Sequence, residues 1–173
     1  MSSKKTRLYI KKTTQALSKF NETYIDSKYH DFNTNRLAYN NKKAQKMHNE
    51  FQAILSALGG FHGLGPRDVK FYYDPIDLTF LPIYYDGNVS ILTNNPNNTN
   101  YDANYNSFSY HAKNGASSSI KKIKKLDLNK LLKELNDNGI ELNKLNLILV
   151  QQKLIDRLNN ISNLKKNHFF LNY

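Results

Sequence analysis

The chain has 173 residues, 39% of them hydrophobic, enough for one domain of ordinary size with a modest core. The formal net charge of +11 keeps polyanion binding open, and the absence of Cys excludes disulfide scaffolds and thiolate metal sites. The longest apolar run, Leu147–Val150, is far too short to span a bilayer, and the charged start Met1–Lys5 leads into no apolar stretch. A soluble, cytoplasmic protein without a signal peptide or a membrane partner is expected.

The positive charge gathers in two clusters, Lys4, Lys5, Arg7, Lys11 and Lys12, and Lys121, Lys122, Lys124 and Lys125. Lysine runs read first as solvated faces and second as polyanion contacts. ATP phosphates are anions too, so charge alone does not separate a nucleotide site from a nucleic-acid site.

Residues 1–41 form a basic, Tyr-rich segment in which Leu8, Ile10, Ala16, Leu17 and Phe20 suit a short helix. A second segment spans 42–119 and begins with the first strong helix, over 42–58. There Ala44, Met47, Phe51, Ile54, Leu55 and Leu58 recur at spacings of three and four, and Gly59-Gly60 supplies the stop. Gly60 to Asp68 is rich in Gly and carries Pro66, which predicts a loop. Val69–Tyr73 and Thr79–Tyr85 then read as the two strands of a hairpin around the turn Asp74-Pro75-Ile76-Asp77. Pro82 cannot donate to a ladder and belongs at an edge or a bulge. Asp86-Gly87-Asn88 makes a second turn, and 88–119 is expected to be a long polar loop, with a short strand at 89–92. The third segment, 120–173, holds a helical pair. Asp127 caps the first helix, over 127–138, and Gly139 closes it. The second, over 143–162, carries Leu147, Val150, Leu154, Leu158 and Ile161 on one side.

Asp68 precedes the outgoing strand and Asp86 follows the return strand. An antiparallel hairpin makes its open ends neighbours, so two carboxylates converge beside a Gly-rich loop. That is a candidate site for a hard cation. The plain alternative is that both are turn residues.

The run Asp68-Val-Lys-Phe-Tyr-Tyr-Asp-Pro, followed by Leu81-Pro-Ile-Tyr-Tyr-Asp-Gly, resembles the core signature of the CotH-like kinases, the spore-coat kinase family. The likeness covers roughly residues 42–90. It implies an α+β fold, the C-lobe of a protein-kinase-like enzyme, with a catalytic-type loop and β-hairpin between helices. It also implies ATP- and Mg2+-dependent phosphoryl transfer to a protein or small hydroxyl acceptor. By the same resemblance Asp86 matches the family's metal-binding Asp, and Asp68 falls where the family has a metal-binding Asn. The position of the catalytic Asp is occupied by Gly63, and the adjacent His62 is the candidate base. Arg67 is the candidate phosphate contact, with an ion pair to Asp68 or Asp86 as its structural alternative. No Gly-rich loop or Lys–Glu pair precedes residue 42. The chain is then either a C-lobe whose N-lobe lies in the same or a neighbouring chain, or a relative that kept the fold and lost catalysis. The rival function is a non-catalytic basic module that contacts nucleic acid or an acidic protein. Tyr72, Tyr73, Tyr84 and Tyr85 are expected mainly to pack in the core, and His111 and His168 have no partner at ligand spacing.

Overall fold

Asn41 starts the central helix of the molecule by turning its side-chain oxygen onto the backbone N–H groups of Lys43 and Ala44, at 2.9 and 3.2 Å. This helix belongs to a computed structural model that describes residues 3–26, 37, 41–65, 68–89, 91 and 108–164. Within them the fold is α+β. The order is α1 (Lys4–Asp26), α2 (Lys42–Ala57), a 3-10 turn (Phe61–Leu64), β1 (Lys70–Asp74), β2 (Thr79–Ile83), α3 (Tyr110–Lys124), α4 (Leu128–Asp137) and α5 (Lys144–Asn163).

The two glycines after α2 do what a helix stop requires. Gly59 takes φ 74° and the Gly60 N–H reaches back to Leu55 O at 2.8 Å, closing a Schellman turn. Gly139 ends α4 the same way, with φ 80° and Ile140 N–H on Leu135 O at 3.0 Å. Asp127 caps α4 as expected, accepting from Asn129 and Lys130.

The buried face of α2 is wider than the expected stripe. Ala44 and Leu55 are buried, but so are His48, Glu50, Gln52, Ala53, Ser56 and Ala57, while Met47 is exposed. The reason is that α2 is covered from two sides, by α3 and α5 on one and by the hairpin on the other. A helix between two partners buries polar positions that a one-faced pattern would leave in water.

The expected polar loop over 88–119 is corrected at its end. Residues 110–119 lie in α3, capped by Ser109, whose hydroxyl accepts from Ala112 N–H at 3.1 Å. Its inward positions, Ala112, Gly115, Ala116 and Ser119, are spaced as a helix face should be, but they are too small to register as an apolar stripe. The same helix crosses the boundary placed between 119 and 120. The 89–92 strand is not formed at Val89 or Ile91, and residues 92–107 lie outside the described chain.

The core sits where α2, α3 and α5 meet. Ala53, Ala57, Phe108, Ala112, Ala116, Ile123, Leu154, Ile155, Leu158 and Ile161 form one cluster. Leu158 and Ile161 are fully buried, each contributing about 2 kcal/mol of hydrophobic transfer. α4 lies against α5 and buries no residue completely, so the helical pair is real but its first member is peripheral.

The hairpin pairs Lys70 with Ile83, Tyr72 with Leu81 and Asp74 with Thr79. Its turn is held by Asp74, whose carboxylate accepts from Ile76 N–H at 2.8 Å. Pro82 is accommodated because a two-stranded sheet has only edge strands. Phe71 and Tyr73 pack about Phe80, and Phe71 stacks on His48 of α2. α1 is much longer than the expected short helix. It meets the hairpin through Phe20, edge-on to Phe80, and through Lys19, whose ammonium donates to Leu78 O at 3.1 Å.

Candidate functional site

The loop after α2 is pulled against the open end of the hairpin, and glycine makes the approach feasible. A β-carbon on Gly63 would stand 3.0 Å from Tyr85 O and 3.1 Å from Gly87 Cα. Gly63 occupies the place of a loop Asp in the resemblance, and packing against the hairpin end leaves little room for one. His62, beside it, turns outward.

That arrangement brings three of the four candidate residues together. His62 Nδ1 lies 3.7 Å from an Asp68 carboxylate oxygen, and His62 Nε2 lies 3.5 Å from one of Asp86. One imidazole is thus bracketed by two carboxylates, one on each ring nitrogen. The contacts are ion-pair distances at or beyond the limit of a hydrogen bond. Asp68 is fixed by a turn in which its N–H and that of Val69 both donate to Gly65 O at 3.0 Å. Asp86 stands in the left-handed region with φ 41°, followed by Asn88 at φ 48°. Asp and Asn tolerate that conformation better than most residues, and backbone strain of this kind gathers at functional turns. Arg67, the fourth candidate, lies outside the described residues.

Chemically, the site offers oxygen ligands of the kind magnesium prefers, together with a titratable ring that can take or orient a proton. The two carboxylates stand on opposite edges of that ring, so a cation shared by both needs the imidazole turned aside. His62 is about half exposed, and its side chain has solvent to turn into. Among the described residues no group of three or more His, Asp or Glu is already arranged to hold a metal ion.

The tyrosines depart from the expectation of core packing. Tyr72, Tyr84 and Tyr85 are 54%, 55% and 54% exposed, so only Tyr73 of the four is drawn in against Phe80. The Lys70 ammonium sits over the Tyr85 ring at 5.2 Å from its centroid. Lys70 and Tyr72 share the outward face of the hairpin with Ile83, since directly paired residues point the same way.

A second polar cluster went unread in the sequence. His48 of α2 and His111 of α3 meet edge to face at 6.0 Å, with His111 Nδ1 2.9 Å from Asn49 Oδ1 and Ser109 donating to Gln52 Oε1 at 3.1 Å. Burial, with the neighbouring His111 adding to it, pushes His48 down to about 4, and burial lowers His111 as well. These groups belong to a helix interface, not to an opening on the surface. The signal for them was the four-residue spacing of Ala44, His48, Gln52 and Ser56, which puts a small and polar set on one face of α2. His168 lies outside the described residues. No protein-family model, curated protein or solved structure matches the chain.

Proposed function

We propose that the Asp68–His62–Asp86 cluster is a phosphoryl-transfer site, and that the chain acts as a kinase-like C-lobe on a hydroxyl acceptor with Mg2+ and ATP. One observation carries this reading. The loop and the hairpin bring both candidate carboxylates to the two nitrogens of one exposed imidazole. In phosphoryl transfer the protein's part is to place charge and orient the acceptor rather than to form new covalent chemistry. Asp86 and Asp68 would hold the magnesium, which when bound neutralises phosphate charge. His62 would orient the acceptor hydroxyl or take its proton. Exposed Tyr85, which adjoins Asp86 in the chain, offers a flat surface for a ring to stack on.

The test is thermal unfolding of the full chain with Mg2+ alone, ATP alone and both. Binding of the pair stabilises by about 2.7 kcal/mol at a ligand concentration a hundred times Kd. A rise in Tm that needs both and vanishes in Asp86→Asn supports the site. An unchanged Tm with the pair overturns the nucleotide assignment.

A further inference from the structure

α1 leaves its apolar side chains in solvent along most of its length. Tyr9, Ile10 and Leu17 are 60%, 59% and 58% exposed. At about 100° per residue these three share a stripe with Ala16 and Phe20 that is about 120° wide. Lys4, Lys5, Lys11, Lys12 and Lys19 occupy the opposite arc, Lys5 and Lys12 at the border beside Tyr9 and Ala16. No Asp or Glu occurs before Glu22. The helix is fastened to the hairpin through Lys19 and Phe20, near the end of the stripe.

We infer that α1 is an interfacial helix that docks the protein, lying flat, on an anionic lipid surface. Two properties select this occupant. The first is charge complementarity, an arc with five lysines and no carboxylate before Glu22 that matches anionic headgroups, although exposed Leu8 interrupts it. The second is the stripe itself, which lipid covers and nucleic acid does not. An interfacial helix buries its apolar side into the acyl boundary, while border lysines lay their stems along it and reach back to the headgroups. Nucleic acid would satisfy the lysines but leave Ile10 and Leu17 in water. A second copy of α1 would bring two basic arcs together around a seam interrupted by Thr6 and Thr13, where helix pairs want Leu or Ile. No helix among the described residues is long and apolar enough to cross a membrane. That bears on crossing and leaves lying at the surface open.

The experiment is co-sedimentation of the full chain with vesicles of phosphatidylcholine, with and without phosphatidylserine. The chain is expected to pellet with the anionic vesicles and to remain in solution with the neutral ones. Replacing Lys4, Lys5, Lys11 and Lys12 by Gln lowers partitioning about five-fold per lysine. The double variant Ile10→Asn, Leu17→Asn lowers it about a hundred-fold without changing net charge. All of these residues but half-buried Lys12 are exposed, so unfolding by urea should match the parent chain. Failure to pellet with anionic vesicles overturns the inference. So does pelleting that the Asn pair leaves unchanged, which is adsorption by charge alone. Binding to an oligonucleotide, or self-association lost in Leu17→Asn, overturns it when it occurs without vesicle binding.

Discussion

Gly115 of α3 rests on the backbone of Asn49 in α2. A β-carbon there would stand 2.6 Å from the Glu50 nitrogen and closer still to the Asn49 carbonyl. The obstacle is backbone, which cannot swing away as a side chain does. Gly115→Ala is therefore expected to force the helices apart and cost about 3 kcal/mol, the upper part of the range for overpacking, although alanine favours a helix. Urea unfolding measures it. A variant as stable as the parent would mean that the two helices do not approach this closely.

Stability should fall in mild acid through the buried histidines. His48 is 1% exposed and held down at about 4, and burial lowers His111 too, so folding disfavours the protonated form of both rings. The unfolded chain binds the proton near pH 6.5. Between about pH 6.5 and 4 the unfolded state holds more protons, and stability declines as pH drops. It is fully present above the unfolded value. The His48 part alone amounts to about 3 kcal/mol across that window. His48→Gln should flatten the slope between pH 6.5 and 4.5 in urea titrations at fixed salt. An unchanged slope would assign the acid sensitivity to carboxylates instead.

Glu50 and Lys122 form an unequal pair. The Glu50 side chain is 7% exposed, with Oε2 receiving Lys122 Nζ at 2.5 Å, and Oε1 has no hydrogen-bond partner among the described residues. Lys122→Met strands a buried carboxylate and should cost about 3 kcal/mol. Adding Glu50→Met removes the stranded charge and should restore most of the loss. Equal, additive losses in the cycle would show that the pair does not interact.

What could be read from the sequence follows from size and period. α2, α5, the hairpin turn and both glycine stops announce themselves because large apolar residues recur at helical spacing and Gly59 and Gly139 adopt conformations few other residues favour. α3 hid because its packing face is Ala, Gly and Ser, and its closeness to α2 comes from what those residues lack. α1 was expected only as a short helix, and its full length was not legible because its apolar stripe, interrupted by Thr6 and Thr13 and largely exposed, is a weak pattern. At the site, hairpin geometry alone placed Asp68 near Asp86. The insertion of His62 between them depends on how Gly63 seats against Tyr85 and Gly87, a long-range contact that no local pattern records.

The position of that imidazole leads to a further test of the site. With His62 between Asp68 and Asp86, the carboxylates are kept on opposite sides of the ring, and a shared cation has to displace it. His62→Ala removes the obstacle at an exposed position, where loss of packing should be within about 0.5 kcal/mol. Without metal the variant leaves two like charges with no cationic or dipolar group between them. With Mg2+ it lets the two carboxylates close on one ion. The stabilisation by Mg2+ should therefore be larger in His62→Ala than in the parent chain, and it should disappear when Asp86→Asn is added. Asn keeps the left-handed backbone that residue 86 requires, so the second change tests the carboxylate and not the turn. Calorimetric titration of Mg2+ into the three proteins reads the order directly. A weaker response in His62→Ala would make the imidazole itself part of the cation site, and the two carboxylates would then act through it and not together.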